Sequence, residues 1–238
     1  VKQKKHCLIH YNSPCSNLGI IRDYFMIKMA STYNIPIVFE CHCSLASQIA
    51  TAYKKYMFRK IVAHTQLVLT LNEESLSIAK SLTNLRVEIL PNFIEDDYCK
   101  CVNRQINSKI QNILYVGHIQ KTKGSEELIN VARIRNDLHF KLIGPVDDEI
   151  GKINVPSNVT LTGNIVADEV RNYLFNADVF LFPSYSEGFS MSVLEAMAMG
   201  VPIIATDVGA NKEMIENRGG IIIPAKDEQE ILNSLRLI

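Results

Sequence analysis

The sequence has no tryptophan, no long apolar run and no net charge. Without roughly 18–20 consecutive apolar residues it offers no transmembrane helix, and the lysines near its start do not precede the apolar segment of a signal peptide. The 25 basic and 25 acidic residues cancel, so bulk charge does not indicate a nucleic-acid partner. These absences predict a cytoplasmic protein that does not bind nucleic acid.

The six cysteines lack the spacing of a structural zinc site. Cys41 and Cys43 are separated by one residue, as are Cys99 and Cys101, whereas zinc pairs usually enclose two to four. We therefore predict reduced, partly buried thiols and no bound metal.

The 238 residues, 47% hydrophobic and 21% charged, suit a globular chain with room for two domains of about 100–150 residues. Short β-rich runs alternate with segments of helical periodicity, which predicts parallel βαβ units. The runs predicted as strands are 6–10, 36–40, 67–71, 87–90, 112–116, 140–143, 159–161, 179–182 and 203–205. Helices are predicted at 18–33, 45–60, 73–82, 125–133 and 168–175, and from about Phe189 to Gly200.

A polar stretch divides this pattern into two parts. We predict a first Rossmann-like domain at 1–92, a linker at 93–111 and a second such domain at 112–238. Two doubly wound α/β domains facing a cleft follow, and ligands of such folds bind at the carboxyl ends of the strands.

The most informative segment follows the predicted strand 179–182. There Glu187 and Glu195 flank a short turn that contains Gly188 and leads into a helix. The free N–H groups and positive dipole end of a helix start favour a phosphate, and carboxylates can accept hydrogen bonds from sugar or ribose hydroxyls. The segment therefore suits a phosphorylated sugar.

Other strand ends carry glycine as well. The turn from Gly117 to Gly124 holds Lys121 and Lys123, which could bind a diphosphate, although for this turn taken alone a solvated lysine pair is the preferred interpretation. Gly144 and Gly163 follow two further strands. Taken alone, each of these glycines indicates a turn and no particular ligand.

Taken in order, these segments resemble one family. The run 113–224 is similar to the C-terminal domain of the retaining nucleotide-sugar glycosyltransferases of GT-B architecture, among the glycosyl group-1 transferases. The matching segments are 115–117 with 123–124, 142–144, 161–163, 177–184, the pair Glu187 and Glu195, and 195–206. More loosely, 35–42 resembles a family strand that ends in a histidine, and 89–94 resembles its Pro-Asn-Gly turn, with Phe93 in place of glycine.

The resemblance implies a role for each matching position. Glu195 would bind the ribose, Glu187 would face the sugar hydroxyls, Lys123 would neutralise the leaving diphosphate, and His42 would reach the sugar from the other domain. The implied catalytic residues are thus Glu187, His42 and Lys123. The implied donor-binding residues are Gly117, His118, Lys123, Gly144, Gly163, Asn164, Ile165, Gly188, Phe189, Ser190 and Glu195. For the carboxylates and His42, ordinary surface or core roles are the alternatives.

The resemblance also implies retention of configuration, no metal or cofactor, and as partners a nucleotide sugar and a saccharide or lipid-linked acceptor. Two departures stand out. His118 occupies the place of a family arginine, and the family's first βα units and last helix have no counterpart, so we expect a chain truncated at both ends whose N-terminal domain is incomplete. Such a chain would bind donor without efficient transfer. The rival functions are a nucleotide-sugar-binding module without turnover and a nucleotide-sugar epimerase, for which we identify no acid/base pair.

The segment 53–60 mixes four basic residues with three aromatic ones on a predicted helix. One interpretation is peripheral contact with an anionic membrane at the inner face. The preferred interpretation is an ordinary surface helix with an apolar underside.

Overall fold

The computed structural model describes residues 7–96, 98, 104, 107, 109–216 and 219–238. The predictions for the N-terminal lysines and for Cys99 and Cys101 lie outside the described residues. By their contacts the residues form two compact units. The first contains Val1–Asn92 and Glu187–Phe189, and the second contains Phe93–Ser186 and Ser190–Ile238.

The first unit carries a four-stranded sheet of order β1-β2-β3-β4 in which every pair is parallel. Its strands are β1 (Ile9–Ser13), β2 (Ile37–Cys41), β3 (Leu67–Thr70) and β4 (Val87–Ile89). Its helices are α1 (Gly19–Ser31), α2 (Leu45–Gln48), α3 (Ala52–Val62) and α4 (Glu73–Leu82). This alternation confirms the βαβ pattern read from the sequence.

Buried apolar side chains join these helices to the sheet. Ile20 and Ile27 of α1, Phe39 of β2, and Phe58 and Ile61 of α3 are all fully buried in one cluster. Each such side chain contributes roughly 1.5–3 kcal/mol of burial free energy. Parallel strands covered by helices read as apolar runs, which is why β2 and β3 could be predicted. The strand predicted at 6–10 is displaced, because β1 runs from Ile9 to Ser13 and its burial alternates along the strand.

The prediction of a single helix at 45–60 is wrong, because the segment forms two helices, α2 and α3, with non-helical residues between them. Thr51 is the N-cap of α3, and its hydroxyl accepts a hydrogen bond from the Lys54 N–H at 3.3 Å. Ser44 caps α2 in the same way. An N-cap residue has non-helical backbone and begins a new helix, so the helix Leu45–Gln48 does not continue through Thr51.

The second unit carries a six-stranded sheet of order β10-β9-β8-β5-β6-β7, also parallel throughout. Its strands are β5 (Asn112–Val116), β6 (His139–Ile143), β7 (Val159–Leu161), β8 (Val179–Phe182), β9 (Ile203–Thr206) and β10 (Gly220–Ile223). Its helices are α5 (Ser125–Ile134), α6 (Asp148–Gly151), α7 (Ala167–Asn176), α8 (Met191–Ala198), α9 (Asn211–Ile215) and α10 (Glu228–Leu237).

The strand order of this sheet reverses between β5 and β8. Strands β6 and β7 continue on one side of that pair, and β9 and β10 on the other. In doubly wound sheets, ligands bind outside the carboxyl ends of the strands at this switch point. A ligand-binding site is therefore expected at the turns that follow β5 and β8.

Aromatic packing and a buried carboxylate hold these two strands together. The rings of Tyr115 and Phe182 stack with centroids 5.8 Å apart. Asp178, just before β8, accepts hydrogen bonds from the N–H groups of Gln111 and Asn112, each at 2.8 Å, and from Asn107 Nδ2 at 2.6 Å. Burial alone would raise the pKa of Asp178, but these hydrogen bonds outweigh it and lower the pKa.

In the part of the chain that the structure describes, no helix combines the length and apolar character needed to cross a bilayer. On α3, Phe58 is fully buried and Met57 nearly so, whereas Tyr53 and Tyr56 are exposed. Phe58 is therefore not available to a membrane, and α3 has the apolar underside of the preferred interpretation.

Candidate functional site

The turns after β5 and β8 are in direct contact. The Tyr185 N–H donates to the Thr122 carbonyl at 3.0 Å. Gly124 has a left-handed φ of 75°, and a Cβ placed on it would lie 2.2 Å from the Pro183 carbonyl oxygen. Only glycine fits this approach, so its presence after Lys123 fixes the spacing of the two turns at the switch point.

Three glycines line the carboxyl edge of the sheet beside these turns. The Gly117 N–H donates to the Ile143 carbonyl at 2.9 Å, and the Gly144 N–H donates to the Gly163 carbonyl at 3.0 Å. A Cβ on Gly144 would meet the Gly117 carbonyl oxygen at 2.1 Å. The predicted donor-binding residues Gly117, Gly144 and Gly163 thus lie together, followed by the exposed Asn164 and the half-buried Ile165.

Helix α8 begins at Met191, two residues later than predicted, with Ser190 as its N-cap. The Ser190 hydroxyl does not cap the helix; it donates to Asn211 Oδ1 at 2.8 Å. The first N–H groups of an α-helix have no partner within the helix. Because the N-cap side chain faces Asn211 instead, the positive end of α8 keeps N–H groups that can bind an anion.

Glu195 lies in the second turn of α8 and is half-buried. Burial raises its pKa, and a hydrogen bond from the nearly buried Tyr98 lowers it, with burial the larger effect. The guanidinium of Arg171 lies over the Tyr98 ring, 5.5 Å from its centroid. A carboxylate can accept about four hydrogen bonds, so Glu195 bonded to Tyr98 can still accept from a diol.

The basic residues of the turn after β5 do not form the simple lysine pair that the sequence suggested. Lys121 Nζ lies 3.1 Å from Glu126 Oε2, and the exposed His118 Nε2 lies 2.9 Å from Asp147 Oδ1. Lys123 is half-buried in the 3-10 turn Lys121–Lys123. Lys121 therefore pairs with a carboxylate, as His118 does, and both side chains lie on the same turn as Lys123.

Glu187, Gly188 and Phe189 are half-buried and are grouped with the first unit. Within that unit, the Gly188 carbonyl accepts a hydrogen bond from Asn72 Nδ2 at 2.7 Å. His42, also in the first unit, follows β2, and its Nε2 lies 2.8 Å from Glu40 Oε1.

Three residues that contact predicted site residues were not predicted from the sequence: Tyr98, Asp147 and Glu40. Tyr98 falls in the predicted linker, and Asp147 follows a strand other than that of its partner His118. The proximity of Glu40 to His42 could have been predicted from the sequence, because residues two apart in an extended strand lie on the same face. Among the residues described, no group of histidine, cysteine, aspartate or glutamate forms a candidate metal site.

Comparison with known proteins shows which family and which fold the chain is similar to. The profile of the family described as "Glycosyl transferases group 1" matches residues 110–238, more than half of the chain. An uncharacterized 41.2 kDa protein in the cps region of Klebsiella pneumoniae is 25% identical over 98% of this chain and 69% of its own length. A D-inositol 3-phosphate glycosyltransferase of Paenarthrobacter aurescens is 31% identical over 47% of this chain and 31% of its own length.

Among solved structures, the Anabaena protein HepE in complex with UDP superposes with a TM-score of 0.76. It is 17% identical, and the match covers 97% of this chain and 68% of HepE. This similarity shows the fold, which is the GT-B architecture of glycosyltransferases. The chain spans between about one third and two thirds of the length of these three proteins. It belongs to the family of glycosyl transferases group 1.

Proposed function

We propose that the second unit binds a nucleotide diphosphate sugar, and that the protein transfers the sugar with retention of configuration to a saccharide or lipid-linked acceptor. The proposal rests mainly on the start of helix α8. Its N–H groups are left uncapped by Ser190, and it follows the β8 turn at the switch point of the sheet. A diphosphate is the part of such a donor that this helix end suits.

The remaining donor contacts follow from the positions around α8. Glu195 accepts hydrogen bonds from the ribose hydroxyls, four residues after the first residue of the helix. Gly117, Gly144 and Gly163 let the backbone approach the flat base along the carboxyl edge of the sheet. UDP is the first nucleotide to test, because HepE was solved with it.

In the transfer step, the acceptor oxygen bonds to the anomeric carbon, the bond from that carbon to the diphosphate breaks, and the acceptor proton passes to the departing phosphate. Negative charge builds on the diphosphate as it leaves. Lys123, His118 and the dipole of α8 stabilise that charge, which lowers the barrier. Glu187 and His42 are proposed to contact hydroxyls of the sugar.

The test begins with binding. Titration calorimetry with UDP, GDP and ADP, followed by the corresponding sugar nucleotides, should reveal one preferred nucleotide in the micromolar-to-millimolar range. The preferred donor is then incubated with crude membrane acceptors, and transfer is followed by radiolabel. Failure to bind any nucleotide would contradict the proposal.

The same assays separate the rival functions. Binding without transfer to any acceptor would favour the binding module. Appearance of an epimeric sugar nucleotide without acceptor would favour the epimerase. Transfer that inverts the anomeric configuration would overturn retention alone.

A further inference from the structure

A cavity lies at the amino ends of the strands in the second unit, opposite the turns that form the candidate donor site. It has a volume of about 300 Å³ and is bounded by the first residues of β5, the start of β6, the segment leading into β7 and the last turn of α7. The strand β6 is five residues long, so its two ends lie roughly 13 Å apart. The cavity is therefore separate from the candidate donor site, and its volume suits a small ligand.

The sequence of β6 places polar side chains at this cavity. Parallel strands covered by helices on both faces usually read as continuous apolar runs, but β6 begins with His139, Phe140 and Lys141. Successive side chains point to opposite faces, so Phe140 is buried whereas His139 is exposed and Lys141 is half-buried. The register sets Leu114 of β5 and Thr160 of β7 beside Lys141 on the same face of the sheet. This face borders the cavity.

A tyrosine of α7 holds the lysine in place. The Lys141 ammonium lies over the Tyr173 ring, 4.0 Å from its centroid. This cation–π contact orients the ammonium without neutralising its charge. Among the residues described, neither Lys141 nor His139 has a carboxylate partner, and none of those that line the cavity is aspartate or glutamate. The cavity therefore presents a positive charge that an anionic ligand would complement.

Most of the other polar lining side chains carry a hydroxyl or an amide: Asn112, Ser157, Asn158, Thr160, Tyr173 and Asn176. Hydroxyl and amide groups both donate and accept hydrogen bonds, which matches the hydroxyls of a sugar, whereas a bare anion needs donors only. The Asn158 amide also fixes the rim, because its Nδ2 donates to the carbonyls of Ala132 and Leu138 at 3.0 and 2.9 Å. A rim fixed before binding lowers the cost of ordering it around a ligand.

We propose that this cavity binds a small anionic sugar. Lys141 pairs with the carboxylate or phosphate of the sugar, and the hydroxyl and amide side chains of the lining bond to its hydroxyls. A uronate and a sugar phosphate share this chemistry, and the experiment below distinguishes them. The site lies wholly within the second unit and is distinct from the candidate donor site, so this inference does not rest on the proposed function.

The test is amide NMR on the nitrogen-15-labelled chain, titrated separately with glucuronate, glucose 6-phosphate, glucose and inorganic phosphate. At least one of the two anionic sugars should shift the amide signals of His139, Lys141 and Tyr173, and the tighter of the two identifies the preferred anionic group. The dissociation constant should be millimolar, the range expected for a ligand of about a dozen non-hydrogen atoms. Glucose and inorganic phosphate should bind at least about tenfold more weakly, because each lacks half of the recognised chemistry.

Lys141→Met is the informative variant, because methionine nearly keeps the length and the apolar stem but removes the ammonium. It should weaken binding of the preferred anionic sugar roughly five- to tenfold, less than for a fully buried charge because the cavity is open to solvent. The matched control is Lys212→Met, which removes an exposed lysine of α9 and should leave the affinity unchanged. The comparison of the four probes uses the wild type and therefore decides the specificity even if Lys141→Met does not fold.

Competition with UDP separates this cavity from the candidate donor site. Excess UDP should leave the affinity for the anionic sugar unchanged, and the sugar should leave the amides of Ser190, Met191 and Ser192 unshifted. Displacement by UDP, or shifts confined to the start of α8, would overturn the proposal. So would the absence of shifts with both anionic sugars, equal binding of glucose or of inorganic phosphate, or unchanged affinity in folded Lys141→Met. If the anionic sugar binds as proposed but no nucleotide binds, the proposed function fails and this inference stands.

Discussion

Replacing Glu195 by glutamine should have opposite effects on binding and on stability. The substitution keeps the side-chain shape but removes the charge that is proposed to accept the ribose hydroxyls. A hydrogen bond to a charged group contributes about 1.5–3 kcal/mol, so the affinity for a nucleoside diphosphate should fall roughly 10- to 150-fold.

The effect on stability follows from the pKa of Glu195, which burial raises above the ordinary value. A carboxyl whose pKa is raised by folding holds its proton more tightly in the folded state. The protonated carboxyl therefore stabilises the folded state below the ordinary pKa, and this stabilisation is lost as the pH rises through the raised pKa. At neutral pH the charge therefore opposes folding. Glu195→Gln should raise the stability by at most about 1 kcal/mol, which is roughly 2–4 °C in Tm for a chain of this size.

The assay is calorimetric titration with UDP, or with whichever nucleotide proves preferred, together with thermal unfolding at pH 7 and near pH 4. The matched control is Glu149→Gln, which removes an exposed carboxylate of α6 in the same unit. The control should change neither affinity nor Tm appreciably. Unchanged affinity in folded Glu195→Gln would refute the ribose assignment, and a large fall in Tm would refute the argument from the pKa.

Three further predictions follow from the second unit. Gly124→Ala should destabilise the chain by about 2–4 kcal/mol in denaturant unfolding, because alanine combines a left-handed φ with a clash against the Pro183 carbonyl; a loss under 1 kcal/mol would contradict this. Asp178→Asn should lower Tm at pH 7 by roughly 4–8 °C, and by less as the pH falls from about 4, where the carboxyl of the unfolded chain takes up a proton, through the lowered pKa of the folded chain; a pH-independent difference would oppose the assigned cause. Lys123→Ala should weaken nucleotide binding at every pH, whereas His118→Arg should strengthen it mainly above neutral pH; a pH profile identical to that of the wild type would show that His118 does not replace the family arginine.

Much of the second unit could be predicted because its central strands β8 and β9 are buried on both faces. The run 179–182 coincides with β8, all four residues of which are buried. The strand β10, by contrast, was missed, although Ile221, Ile222 and Ile223 form a short apolar run. A run of that length cannot be told from a buried helical turn by periodicity alone.

Candidate site residues could be proposed from the sequence where one segment carries several of them, as around α8. They were not predictable where the contact joins distant segments. Nothing in the sequence pairs Tyr98 with Glu195, or His118 with Asp147, since these contacts depend on the register of neighbouring strands and on the course of the segment before β5. Local sequence patterns therefore predict the helices and strands, whereas the contacts of the candidate site side chains are set by tertiary packing.

The central claim is that a diphosphate binds at the start of α8, and backbone amide NMR tests it most directly. Adding UDP to the nitrogen-15-labelled chain should shift the amide signals of Ser190, Met191 and Ser192 strongly, while uridine, which lacks the phosphates, should leave them nearly unchanged. The amides of α10 serve as the internal control and should not respond to either compound. Binding of UDP that shifts other amides and leaves the start of α8 unaffected would contradict the account.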